Sequence, residues 1–446
     1  MIWIEFIILI GMILIGSQMK GIGLGVMGMV GLLIFIFVFQ LKPTDPPLDV
    51  MLIIMAIVTT AATLQASGGL DYLVQLAEKI IRSNPSNITF IAPFTVYFLC
   101  LFAGTAHIVY SLLPIISEVS AKKRIRPERP LSISVIASHI ALTGSPMSAA
   151  TAALVVILAY PGALVDIMSI CIPASIIGIL LGCFSVFKKG IELNNDPIFI
   201  EKMKDPEFAQ TMNATAEGVQ AELKPGAKTS VLIFACAIVL IVIAGAFPAI
   251  VPHFEPGAKS LAVNADGSLT MVTVISVVTL SAAAAMMLIT KTSTTDVTKA
   301  SLFTSMASAV VSVFGVVWMS STFMHANNDT IQKALGGIVS EHPWTFAIAV
   351  FIMGALMFSQ AATTKTMMPL GIALGLPPSA LIAIFPAVNS DFVLPGYPTL
   401  LAAINFDRTG STKIGKFVIN HSFLIPGVVT IGVAIAVGFL IGSFIL

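Results

Sequence analysis

The sequence predicts an all-α polytopic membrane protein made of two inverted-topology repeats, each with about five transmembrane helices, a re-entrant hairpin and a broken helix. Three observations carry this. Of 446 residues, 57% are hydrophobic and 10% charged, with mean hydropathy +0.99; a soluble domain carries about 25% charged residues. The apolar runs suffice for roughly ten spans of about 20 residues each. Finally, two stretches share one plan: SQAATTKTMMPLGIALGLPPSALIAIFPAVNSDFVLPGYPTLLAA at 359–403, and 104–150, which opens GTAHIVYSLLPII and closes ASHIALTGSPMSAA. Each has a small polar turn with a proline ten residues on (Gly104 to Pro114, Ser359 to Pro369), then an apolar segment broken at proline (Pro146, Pro395).

Apolar segments fall at 2–19, 21–40, 48–67, 88–121, 131–160, 164–187, 229–252, 270–290, 300–325, 343–376, 378–405 and 417–446. The opening MIWIEFIILIGMILIG lacks a basic n-region and a cleavage site, and reads as the first span. Segments 88–121, 131–160 and 343–376 are too long for one straight span. The densest basic loop, AKKRIRPERP at 121–130, belongs inside by the positive-inside rule. Segment 88–121 then enters and leaves from the inside as a re-entrant hairpin tipped at Gly104-Thr105-Ala106-His107, and 131–160 crosses outward with a break at Pro146. Residues 1–189 form the first repeat and 190–228 a cytoplasmic linker, partly helical. Residues 229–446 repeat the plan inverted. Connector 326–342 matches 70–87, hairpin 343–376 is tipped near Ser359-Gln360-Ala361, and broken helix 378–405 follows. Both termini lie outside. On this plan only Lys42, Lys259 and Lys333 fall outside and Lys365 in the second hairpin. The remaining nineteen of 23 Lys and Arg, Lys20 and Lys416 among them, are inside.

A net charge of +1 gives no sign of nucleic-acid binding. Cys100, Cys171, Cys183 and Cys236 have no metal-ligand spacing and read as small hydrophobes. Gly23-x-Gly25-x-x-Gly28 matches a dinucleotide fingerprint formally, but inside an apolar span without a βαβ unit. Close helix packing explains it better, and the Gly-rich span permits a homodimer. The basic run sets topology or meets anionic lipid headgroups. No nucleophile elbow or triad is present, so no catalytic residue, cofactor or metal site is expected.

Charged and polar groups at membrane depth mark a pathway, and two broken elements in corresponding halves point to a transporter's substrate site. Half-helix N-termini offer free N–H groups and a positive dipole end, which suit anions. Thr105, His107, Thr143, Ser145 and Ser148 supply hydrogen-bonding groups from the first half. Ser359, Gln360, Thr363, Thr364, Asn389, Tyr397 and Thr399 do so from the second. Neutral donors with one buried cation, Lys365, favour an anionic substrate. Lys365 either serves substrate or coupling, snorkels to an interface, or pairs with Asp391. Asp391 is alternatively a cation site. His107 and His139 either act on the pathway or make ordinary intramembrane hydrogen bonds. His253, His325 and His342 read as external and solvated.

Long strings of this chain resemble one family: TLQASGGLDYL (63–73), APFTVYFLCLFAGTAHIVYSLLPII (92–116), IRPERPLS (125–132), SQAATTKTMMP (359–369) and LPGYPTLLAAINFDRTGSTKIGKFVINHSFLIPG (394–427). They resemble the anaerobic C4-dicarboxylate transporters called Dcu, A/B type, and lean toward the A-type member. The resemblance implies a multi-pass protein of the bacterial inner membrane, with periplasmic termini, that exchanges fumarate, malate or aspartate for succinate. It brings no catalytic residues. Gly396 stands where relatives carry a threonine, which removes one hydroxyl. The expected function is exchange of C4-dicarboxylates by alternating access. The alternatives are a Na⁺- or H⁺-coupled uptake carrier using Asp391 or His107, and a membrane sensor or scaffold whose basic loop recruits a cytoplasmic partner.

Overall fold

The computed structural model describes residues 2–19, 22–213, 222–257, 260–357, 359–394, 396–415 and 420–446. Lys20, Lys259, Lys416, Pro395 and linker positions 214–221 lie outside the described residues.

Helix follows nearly every apolar run. The first half contains α1 (Ile2–Met19), α2 (Gly23–Phe37), α3 (Leu48–Ala66), α4 (Gly69–Ser83), α5 (Ile88–Ala103), α6 (Val109–Lys122), α7 (Glu128–Ile140), α8 (Ala149–Leu158) and α9 (Ala163–Val186). Two short helices, α10 (Pro197–Lys202) and α11 (Pro206–Asn213), occupy the linker. The second half contains α12 (Ala227–Ala246), α13 (Met271–Thr290), α14 (Thr294–Lys299), α15 (Ser301–Glu341), α16 (Trp344–Met357), α17 (Gln360–Ala373), α18 (Pro378–Ile384), α19 (Pro398–Phe406) and α20 (Leu424–Ile445). Among the described residues there is no β-strand, only isolated bridges such as His253 with Ser268. Six helices there are long and apolar enough to cross a membrane: Leu48–Ala66, Pro85–Ala103, Ala163–Val186, Ala227–Ala246, Met271–Thr290 and Leu424–Ile445. Fewer spans stand out than the apolar runs suggest, because turns and breaks divide several of them.

Local chemistry explains those turns. Gly104 ends α5 at φ +70°, a left-handed conformation that costs glycine little. A Cβ there would strike the Met147 backbone, so the turn of α5–α6 sits directly on the interruption between α7 and α8. Ser148 caps α8, accepting from the N–H of Ala150 at 3.1 Å and of Thr151 at 3.4 Å. Ser359 caps α17, accepting from Ala362 N–H at 3.3 Å. After α18 the chain runs as 3-10 helix over Phe385–Phe392 and resumes as α19 at Pro398.

Two expectations are corrected here. Residues 326–342, read as a connector, continue α15 as far as Glu341. No proline interrupts 301–341, and Pro343 follows the end. Asn327, polar enough to suggest a loop, instead donates to the buried carboxylate of Glu5 on α1 at 2.7 Å. The glycine stripe of α2 is consumed inside the chain: a Cβ on Gly25 would meet the Val311 backbone, and one on Gly28 would meet that of Gly315. The feature that suggested a homodimer is therefore the α2–α15 contact.

The basic loop is also internal structure. Arg126 and Arg129 are buried. Arg126 pairs with Glu128 and Asp196, both at 2.8 Å, and Arg129 with Glu192 at 2.7 Å. Lys189 reaches Glu128 at 3.1 Å and the Ser422 hydroxyl donates to it at 2.9 Å. These pairs fasten Lys189, Glu192, Asp196 and Ser422 to the start of α7, which takes both arginines away from lipid headgroups.

Burial pushes the Glu128 carboxyl up, but Arg126, Lys189 and Ser422 more than offset this and hold it below the ordinary glutamate value of 4.5. A carboxyl lowered in the folded state stabilises it above the unfolded pKa, and that contribution is lost as pH falls through the folded pKa. Thermal unfolding of detergent-purified protein from pH 7 to pH 3 should show Glu128→Gln less stable than wild type at pH 7. The gap between the two should close below about pH 4.5.

Candidate functional site

The two helical turns and the two interruptions carry most of the polar residues singled out in the sequence, and the start of α17, the broken segment and α19 meet the end of α7 in one buried cluster. His139, near the end of α7, is 1% exposed and Asp391, in the 3-10 segment, is 0% exposed. His139 Nδ1 lies 2.8 Å from Asp391 Oδ1, and Nε2 lies 2.8 Å from Thr399 Oγ1 on α19. Gln360, at the first position of α17, donates from Nε2 to Asp391 Oδ2 at 2.7 Å. The Tyr397 ring packs edge-on against the imidazole, with centroids 4.8 Å apart. One carboxylate thus joins α7, the start of α17 and the broken segment leading to α19.

The cluster keeps its hydrogen bonds in either protonation state of His139. A neutral imidazole donates from Nδ1 to the carboxylate and accepts the threonine O–H at Nε2. An imidazolium donates from both nitrogens, and the threonine oxygen accepts. Both ring nitrogens therefore keep a partner in either state.

Lys365 lies elsewhere. On α17 it is 2% exposed, and among the described residues its ammonium has no hydrogen-bond partner. It lines a cavity of about 360 Å³ together with Thr44, Ser321, Met324, His325, Thr366 and Pro369. Thr366 is likewise buried with its hydroxyl unpartnered. The far wall is pinned: Trp318 Nε1 donates to the Thr44 carbonyl at 2.6 Å, and Thr44 N–H donates to Thr322 Oγ1 at 3.3 Å. A third polar region, a cavity of about 510 Å³, lies between Glu118 and Lys122 on α6, Asn405 on α19, and Arg408 and Thr409 just after it. There Glu118 pairs with Lys122 at 2.7 Å and Arg82 at 3.1 Å.

A family model described as anaerobic c4-dicarboxylate membrane transporter matches residues 1–446. The chain belongs to this DcuA/DcuB family. It is 40% identical to the C4-dicarboxylate transporter DcuA of Wolinella succinogenes, over 100% of both chains. It is 39% identical to the anaerobic C4-dicarboxylate transporter DcuB of Escherichia coli O157:H7, over 99% of this chain and 98% of that one. A solved structure, the YdaH transporter of Alcanivorax borkumensis, aligns over 93% of this chain and 88% of its own at 15% identity and TM-score 0.48.

Within this DcuA/DcuB member, the residues read from sequence divide by what their side chains do. Gln360, Asp391, Tyr397 and Thr399 meet in the cluster. Thr363 and Thr364 spend their hydroxyls on the Ser359 and Gln360 carbonyls, at 2.9 and 2.7 Å. Asn389 donates to the Pro386 carbonyl at 2.9 Å. Thr105 and Ser145 accept from the backbone of His107 and Met147, each at 3.3 Å. Thr143 donates to the Ile140 carbonyl at 2.7 Å, and Ser148 and Ser359 are caps. These groups build the turns. His107 is exposed and stacks on Tyr110 at 6.1 Å.

The proposed Asp391–Lys365 pair is not formed: Asp391 is taken by His139 and Gln360, while Lys365 faces the cavity. Thr44, Ser321 and Thr366 went unnoticed in the sequence, because single hydroxyls in apolar helices carry no local signal. His325, read as external, is exposed and sits at that cavity.

Asp391→Ala strips the acceptor from two buried donors, and each orphaned donor costs about 1–3 kcal/mol. Its thermal unfolding temperature in detergent should fall clearly. Lys365→Met removes a buried unpaired charge and should unfold at the same temperature as wild type or higher.

Proposed function

We propose that this chain exchanges C4-dicarboxylates across the bacterial inner membrane, moving fumarate, malate or aspartate against succinate by alternating access. Membership of the DcuA/DcuB family carries the substrate class. Two relatives aligned over nearly their whole length, both named C4-dicarboxylate transporters, support it. The inverted-repeat topology proposed from Lys and Arg placement puts the Thr44 loop outside and the 121–130 and 407–415 loops inside. On that topology the cavity beside Lys365 belongs to the external half of a pathway. The cavity between Lys122 and Arg408 belongs to its cytoplasmic half. The cluster of His139, Asp391, Gln360 and Thr399 lies at the turns and breaks, the elements that alternating access would move against a scaffold of the longer helices.

A second reading, proton-coupled uptake, rests on one observation. His139 is held between a carboxylate and a hydroxyl that suit both of its protonation states.

Counterflow in proteoliposomes separates the two. Vesicles loaded with unlabelled succinate should accumulate labelled fumarate or aspartate, and empty vesicles should not. Uptake that ignores internal succinate but follows an imposed proton gradient would replace exchange with the coupled reading. Folded protein that moves no dicarboxylate under either condition would remove both.

A further inference from the structure

The cluster and the cavity make opposite demands on a ligand. In the cluster every charged or amide group already has a partner, and its acidic group is Asp391. An incoming carboxylate there would meet Asp391 and displace bonds already made. In the cavity the balance is reversed. Lys365 Nζ is closed off from water and without an acceptor, and a charge there is unfavourable until a counter-ion arrives. The neighbouring Thr366 hydroxyl is also buried and unpartnered. Ser321 and Thr44 add hydroxyls to the lining, and exposed His325 stands at it. Among the described residues no ion pair joins Lys365 to an acid.

We propose that this cavity is a carboxylate subsite, taking one end of a C4-dicarboxylate against Lys365, Thr366 and Ser321 on the external side of the pathway. The inference rests on the dicarboxylate-transport reading and deepens it by placing the substrate at the interface of α17, α15 and the Thr44 loop rather than at the His139–Asp391 cluster. A volume of about 360 Å³ holds a small dianion with water, at the low end of the roughly 300–1,000 Å³ typical of ligand clefts. Charge-assisted hydrogen bonds from an ammonium and two hydroxyls suit a carboxylate oxygen pair. Because the Trp318 and Thr322 bonds hold the Thr44 wall to α15, movement of α17 against that wall would open or seal the subsite.

The test uses full-length protein, with succinate binding measured in detergent and succinate counterflow in proteoliposomes. Succinamate, in which one carboxylate is replaced by an amide, serves as the comparison ligand. Lys365→Met should raise the succinate concentration for half-saturation about tenfold or more and shrink the preference for succinate over succinamate, with Lys365→Arg recovering part of both. Thr366→Val and Ser321→Ala should shift half-saturation the same way by about two- to fivefold, and they decide the matter if the lysine variants do not fold. Native half-saturation and native preference in all these variants, beside an active wild type, would overturn the subsite and leave the transport reading standing. Wild-type protein that binds succinate through Lys365 yet exchanges none would do the reverse.

Discussion

The buried contact between His139 and Asp391 is the constraint around which the interrupted elements are arranged. It spans 252 positions of sequence and joins the end of α7 to the broken segment before α19. Gln360 adds the start of α17 to the same carboxylate, and Thr399 adds α19 to the same imidazole. An apolar interior cannot hold such groups singly, since each unpaired one would cost several kcal/mol. The breaks in the helices are what allow these side chains to reach one another. Tight packing where Gly104 meets the Met147 backbone brings the first turn up against the first interruption.

Against this satisfied cluster stands a deliberately unsatisfied cavity. Both centres use residues of α17, only five positions apart at Gln360 and Lys365, but they face different neighbours. Gln360 turns to the broken segment, and Lys365 turns to α15 and the Thr44 loop. A shift of α17 would therefore act on both at once, loosening the bond to Asp391 while changing access to Lys365. That coupling is how the proposed alternating access would work: one helix would pass the state of the cavity to the segment that carries Asp391.

Much of this was legible in the sequence, for physical reasons that differ from residue to residue. Gly104 and Ser359 announce turns because their backbone preferences are local, whereas Ser148, read as a hydrogen-bonding group for substrate, caps α8. The resemblance of long strings such as 394–427 to one family signalled the family. Partner choice was not legible. Asp391 and Lys365 looked like a natural pair because they are the charged residues of one stretch, whereas the actual partner of Asp391 lies in the other half. The stretch 326–342 looked like a connector because its polar residues suggested solvent, yet Asn327 meets the buried Glu5. The glycines of α2 suggested a second copy of the chain, and their partner is α15. In each case the missing information was which distant surface would be apposed, something no local pattern encodes.

The most direct test of the division between a self-satisfied cluster and a substrate-seeking cavity is a crystal structure of the protein with bromosuccinate bound, located by the anomalous signal of bromine. The account predicts the bromine in the cavity of Thr44, Ser321 and Thr366, with a carboxylate within hydrogen-bonding distance of Lys365 and the His139–Asp391 contact intact. A ligand seated against His139 and Asp391, with the cavity beside Lys365 empty, would contradict it.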